Sequence, residues 1–152
     1  MKNADVIIFS VFMLEVAVCD IKTFQLPLRN IYACFILLFF LRLFFYRAEF
    51  LLYIFSSVLL FLCFFTVYIF QKEKLGFGDV QLSLCTGLLN GLSGAFTASI
   101  ISCLLALFFI LFVSMILKKK ASEQKVPFAP FFIAGSLIER MFHTAKIVEQ
   151  LF

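Results

Sequence analysis

The chain has 152 residues, of which 64% are hydrophobic and only 14% are charged, and it contains 24 phenylalanines. A water-soluble domain of this length leaves about 30% of its surface exposed, too much for a chain with so few polar residues. The composition therefore excludes a soluble globular domain and favours a membrane protein. The net charge of +4 comes from lysines and arginines beside apolar runs, which indicates membrane topology rather than nucleic-acid binding.

Apolar segments follow one another along the whole chain, and a spanning helix needs about 20 such residues. The predicted segments are, in chain order, about Ala4–Cys19, Ile31–Tyr46, Phe50–Phe70, Val80–Leu92, Ala95–Leu117 and Pro127–Met141. They predict an all-α fold, a polytopic membrane helix bundle of about six transmembrane segments. We expect residues 1–152 to form a single membrane-embedded domain.

The fourth segment is unusual because Val80–Leu92 would be only about 20 Å long as a helix. We expect it to begin inside protein or a water-filled cavity rather than in lipid. The small residues of Gly91–Gly94 predict a turn before the fifth segment.

Alternate loops of such a bundle lie on opposite sides of the membrane. The loops after the first, third and fifth segments hold eight of the 13 lysines and arginines. The positive-inside rule therefore places these loops in the cytoplasm and both termini outside. Asp20 and Asp79 then fall on the same, cytoplasmic side, while Arg42 and Arg47 are expected to extend to the outer interface.

The five cysteines show no CxxC spacing and are interpreted as small buried apolar residues rather than disulfides or metal ligands. They are Cys19, Cys34, Cys63, Cys85 and Cys103. The sequence predicts neither a metal site nor a cofactor.

Asp20 and Asp79 each stand where a polar loop meets an apolar segment. Ionisable groups at such a depth are costly and are commonly functional or paired. Two adjacent carboxyl groups share one proton, which is the arrangement that activates water and protonates a leaving amine. The structural alternative is that each aspartate caps a helix or pairs with a nearby lysine.

The stretch Gly76-Phe77-Gly78-Asp79 strengthens the first interpretation. Its glycines are expected to permit backbone conformations that are closed to other residues, to let the chain approach a neighbour closely and to orient Asp79.

Three motifs resemble the signatures of the type IV prepilin peptidases, in the order in which that family carries them. They are Asp20-Ile21-Lys22-Thr23-Phe24-Gln25-Leu26-Pro27, Gly76-Phe77-Gly78-Asp79-Val80-Gln81-Leu82 and Val126-Pro127-Phe128-Ala129-Pro130. The likeness covers nearly the whole chain.

The resemblance implies an aspartic-type membrane endopeptidase that removes the leader peptide of pilin-like precursors at the cytoplasmic face of a bacterial inner membrane. It maps Asp20 and Asp79 onto the catalytic pair, which needs no metal. Lys22 and Gln81 map onto neighbouring positions with no assigned role. The implied partners are the prepilin leader with its apolar helix, and membrane lipid, but no nucleic acid.

Three departures from the family pattern stand out. Gln81 replaces a frequent lysine, and Ala129 replaces a frequent glycine. The N-terminal region with paired CxxC motifs, associated with N-methylation of the cleaved pilin, has no counterpart in the sequence, so we expect peptidase activity without methyltransferase activity.

Two alternatives remain open. Gly91-Leu92-Ser93-Gly94 matches the GxSG pattern of rhomboid serine proteases, with His143 on the same predicted outer face. A non-enzymatic membrane component, or an inactive relative of the peptidases, would instead use Asp20, Asp79 and Glu15 as proton or cation sites. Glu15 is expected to face the bundle interior. The prepilin class and the oligomeric state are not specified by the sequence.

Overall fold

A computed structural model describes residues 4–71, 75–117 and 126–149. Its helices are α1 (Ala4–Thr23), α2 (Leu28–Phe45), α3 (Phe50–Phe70), α4 (Phe77–Leu117) and α5 (Ala129–Glu149). The prediction of an all-α helical membrane bundle is confirmed. The predicted number of about six spans is not: within the described ranges three helices, α2, α3 and α4, are long and apolar enough to cross a membrane.

The helix α4 contains 41 residues but is broken at Gly91, whose φ of 71° and ψ of −173° are not helical. A positive φ is accessible to glycine at little cost, because glycine has no Cβ. The predicted turn at Gly91–Gly94 therefore corresponds to this break, and the fourth and fifth predicted segments are the two halves of α4.

The contacts between α4 and α5 show that the chain reverses direction at the break. The close pairs, in the order of α4, are Thr86 with Ser136, Gly94 with Glu139, Ser102 with Phe132, and Phe109 with Phe131. The α5 residue in contact moves from Ser136 at Thr86 to Glu139 at Gly94, just past the break, and back to Phe131 at Phe109. The two halves of α4 therefore run antiparallel.

A buried guanidinium stabilises this reversal. Arg42 on α2 is 0% exposed, and its Nε and Nη2 atoms donate hydrogen bonds to the carbonyl oxygens of Leu88 and Leu89 at 3.0 and 2.8 Å. The last carbonyls of a helix have no intrahelical donors, so Arg42 caps the first half of α4. The expectation that Arg42 extends to the outer interface is wrong.

The same guanidinium belongs to an ion cluster that joins three helices. Asp5 Oδ2 accepts hydrogen bonds from Nη2 of Arg42 at 2.9 Å and from Nη2 of Arg140 at 2.6 Å. The Arg42 guanidinium also lies over the rings of Tyr46 and Tyr53, at 4.6 and 3.9 Å from their centroids. These contacts compensate the buried charges, and they explain why Arg42 remains in the interior.

We expect Asp5→Ala to lower the free energy of unfolding by about 3–5 kcal/mol, because it leaves the buried charge of Arg42 without its carboxylate partner. Far-UV circular dichroism during heating in detergent measures this, since the chain has no tryptophan. Glu15→Ala is the matched control, an exposed carboxylate on the same helix. Equal melting temperatures for the two variants would contradict the role given to the cluster.

Candidate active site

The structure brings Asp20 and Asp79 together at the end of the bundle opposite the Arg42 cluster. Asp20 lies in the last turn of α1 and is only 6% exposed, whereas Asp79 lies in the first turn of α4 and is partly buried. The two carboxylates are close enough for electrostatic repulsion between them. Within the described part of the chain, neither forms an ion pair with a lysine or arginine.

Asp20 is held by the beginning of α5. The backbone N–H of Ala129 donates a hydrogen bond to Asp20 Oδ2 at 3.0 Å. The first N–H groups of a helix lack intrahelical acceptors and carry a partial positive charge, so this carboxylate caps α5. Burial raises the pKa of Asp20 above its usual value of 3.8, and the hydrogen bond from Ala129 lowers it by a smaller amount.

The prolines of the third motif flank this contact. Pro127 precedes α5, and Pro130 lies in its first turn, where the missing N–H leaves no intrahelical hydrogen bond unmade. The motif therefore meets Asp20 from the first motif, although more than 100 residues separate them along the chain.

Asp79 is held by its own loop. Its backbone N–H donates to the Gly76 carbonyl at 3.1 Å, and its carboxylate accepts a hydrogen bond from the Gly76 backbone. This is one half of a capping box, in which the side chain of the third helical residue reaches back to the backbone of the residue before the helix. A Cβ on Gly76 would lie 3.3 Å from Asp79 Oδ2, a close contact that glycine relieves.

Gly78 allows a close contact between α4 and Leu26 of the first motif. A Cβ at this position would lie 2.9 Å from the Cβ of Leu26, the residue before Pro27. The predicted close approach is thus observed, but the predicted unusual backbone conformation is wrong for Gly76 and Gly78. Among the glycines that the structure describes, Gly91 alone has a positive φ.

The other residues singled out in the sequence are placed as follows. Lys22 is exposed and forms no ion pair with either aspartate of the site. Pro27 is partly buried just before α2, and its carbonyl accepts a hydrogen bond from the Asn30 N–H at 3.0 Å. Gln81 is buried, and its Nε2 donates to the hydroxyl of Tyr32 at 2.6 Å.

The structure gives little support to the serine-protease alternative or to a functional role of Glu15. Ser93 and His143 are both exposed, and no hydrogen bond joins these two described side chains. Glu15 is exposed as well, so the expectation that it faces the interior is wrong. Its neighbours Met13 and Val16 occupy the buried face of α1 instead. The residues described contain no group of three His, Cys, Asp or Glu side chains placed to hold a metal ion.

Both aspartates thus have the helix-capping contacts that the structural alternative expected. Sequence reasoning missed two contacts, the hydrogen bond from the Ala129 N–H to Asp20 and the packing of Leu26 against Gly78. No local signal could have identified either one, because each comes from a different segment of the chain.

Comparison with known proteins gives one finding. A family model described as the type IV leader peptidase family matches residues 7–111, a range that includes both Asp20 and Asp79. No curated protein and no solved structure matches the chain.

The packing of Gly78 against Leu26 predicts energetic coupling between the two loops. Gly78→Ala is expected to destabilise the protein by about 1–3 kcal/mol, because the new methyl group overpacks against Leu26. Leu26→Ala removes Cγ and Cδ1, two of the three Leu26 atoms that would lie within 3.1 Å of the new methyl group, so the double variant should lose less stability than the sum of the single variants. Thermal unfolding of all four proteins in detergent measures the coupling, and strict additivity would show that the two residues do not interact.

Proposed function

Because the chain belongs to the type IV leader peptidase family, we propose that it is an aspartic endopeptidase that removes the leader peptide from type IV prepilin-like precursors. The observation that carries the proposal is the placement of Asp20 and Asp79 side by side at one end of the bundle. Supporting it, neither carboxylate is neutralised by a basic side chain among the residues described. Such a pair retains one shared proton.

The proposed reaction uses this pair as a unit. One carboxylate accepts a proton from water as the water oxygen attacks the scissile carbonyl carbon. The protonated carboxyl polarises that carbonyl and, as the C–N bond breaks, a proton passes to the leaving amine. The hydrogen bonds from Ala129 to Asp20 and from Gly76 to Asp79 would hold both side chains in position during these steps.

We further propose that this end of the bundle faces the cytoplasm of a bacterial cell, with both termini on the other side of the inner membrane. The C-terminal ends of α1 and α3 and the N-terminal ends of α4 and α5 lie at the end that holds Asp20 and Asp79. The basic loops 72–74 and 118–125, on which the orientation depends, fall outside the described residues. The substrate would be a prepilin leader followed by its apolar helix, bound beside membrane lipid.

An inactive relative or a non-enzymatic component is the second candidate. It is favoured by the helix-capping contacts, which give both aspartates a structural reason to be present. The two candidates differ in what an isosteric amide would do, because the carbonyl oxygen of an asparagine can still accept the capping hydrogen bond.

Asp20→Asn and Asp79→Asn are therefore expected to keep the fold and to lower the rate of leader removal by about 10²–10⁴-fold, the usual contribution of a general acid or base. Co-expression with candidate prepilins, followed by gel shift, measures this. Ser93→Ala should cleave like the wild type, and dependence on Ser93 and His143 would instead favour a serine protease. Cleavage that survives both asparagine variants would exclude the aspartic mechanism.

The rate should also depend on pH in a defined direction. Burial raises the pKa of Asp20 above 3.8, so we expect the pair to keep a proton to a higher pH than an exposed aspartate does. Activity should fall on the acid side, where both carboxyls are protonated, and on the alkaline side, where the shared proton is lost. Initial cleavage rates in detergent across the pH range test this. An alkaline limb at or below pH 3.8 would contradict it.

A further inference from the structure

Two buried side-chain amides near the aspartate pair each have one polar atom without a partner. Asn30 and Gln81 are 7% and 6% exposed. Asn30 Nδ2 and Gln81 Oε1 form no hydrogen bond. A buried polar atom without a partner costs about 1–3 kcal/mol, so two such atoms at the same end of the bundle call for a physical reason.

Both residues lie within about one helical turn of the end that holds the aspartates. Asn30 is in the first turn of α2, on the buried stripe that it shares with Cys34 and Leu38. Gln81 follows Asp79 by two residues in α4. The two helices are in direct contact at this level, since the Cys85 thiol donates to the Ile31 carbonyl at 3.4 Å.

Gln81 is held in one orientation. Its Nε2 donates to the Tyr32 hydroxyl at 2.6 Å, which fixes the amide plane and leaves Oε1 as a positioned acceptor. Asn30 contributes the opposite function, an N–H donor. Together the two side chains offer one donor and one acceptor, which are the groups that match the C=O and N–H of a peptide backbone.

We propose that Asn30 and Gln81 bind the backbone of the substrate beside the scissile bond. Asn30 Nδ2 donates to a substrate carbonyl, and Gln81 Oε1 accepts a hydrogen bond from a substrate N–H. This inference rests on the proposed peptidase function and adds to it a means of recognising an extended leader segment independently of its side chains. Tyr32 acts as a positioning residue through Gln81.

The test uses prepilin peptides in which one backbone amide at a time near the scissile bond is replaced by an ester, which removes one N–H. For the wild type, one position should show an ester penalty of about 10-fold in kcat/KM, corresponding to one hydrogen bond. In Gln81→Met the penalty at that position should disappear while the penalties at other positions remain. An ester carbonyl is also a weaker hydrogen-bond acceptor than an amide carbonyl. In Asn30→Leu the ester penalty should therefore disappear at a different position, the one whose carbonyl accepts the hydrogen bond from Asn30.

Two further variants separate binding from folding. Gln81→Glu keeps an acceptor at this position and should retain the ester penalty of the wild type. Asn90→Leu alters a matched buried amide that donates to the Ser136 carbonyl at 3.2 Å near the opposite end of the bundle. It should lower stability but leave every ester penalty unchanged.

If the wild type cleaves the peptides and Gln81→Met shows the same ester penalties at every position, the assignment of Gln81 is wrong and the peptidase function stands. If the wild type cleaves neither these peptides nor full-length prepilins, the peptidase function fails, and the proposed role of Asn30 and Gln81 fails with it.

Discussion

The arrangement of this bundle depends on the buried guanidinium of Arg42. A helix break inside a membrane protein exposes carbonyl groups where no water is available to bond them, and Gly91 creates such a break in α4. Arg42 satisfies two of these carbonyls and is itself neutralised by Asp5. With the break stabilised, the first half of α4 can lie along α2 and α3 while the second half returns along α5. That path brings Asp79 beside Asp20.

The three aspartates of the chain show how environment assigns different chemistry to one residue type. Asp5 lies between two arginines at one end of the bundle, where its carboxylate forms ion pairs with both and joins three helices. Asp20 and Asp79 have each other and no basic partner among the residues described. These two carboxyls repel each other and are not held in ion pairs within the described residues, in contrast to the carboxyl of Asp5.

The sequence was sufficient for the features that depend on local patterns. Apolar runs predicted the helices, the small residues at Gly91–Gly94 predicted the reversal, and the polar junctions at Asp20 and Asp79 predicted that these two carboxylates lie at the same end of the bundle. The count of about six spans was not confirmed, since apolar length alone does not establish that a segment crosses a membrane.

The predictions that were wrong concern residues whose environment is set by partners distant in sequence. Arg42 resembles an interfacial arginine until Asp5, 37 residues earlier, is placed beside it. The exposure of Glu15 depends on the rotation of α1 about its axis, and the contacts of Asp5 and Asp20 at its two ends set this rotation. Periodicity does not determine this rotation when apolar residues surround the whole helix. The roles of Gly76 and Gly78 likewise follow from close contacts rather than from backbone conformation.

The capping contacts of Asp20 and Asp79 do not argue against a reaction at this site. The described residues donate a single hydrogen bond to Asp20, through Oδ2, which leaves Oδ1 available for water or a substrate carbonyl. A general base must be held in a fixed orientation before it contributes to catalysis, and a helix N-terminus supplies that constraint without neutralising the carboxylate by a full charge. The same bond also ties the orientation of Asp20 to the position of α5. Any displacement of α5 would therefore change the orientation of the Asp20 carboxylate.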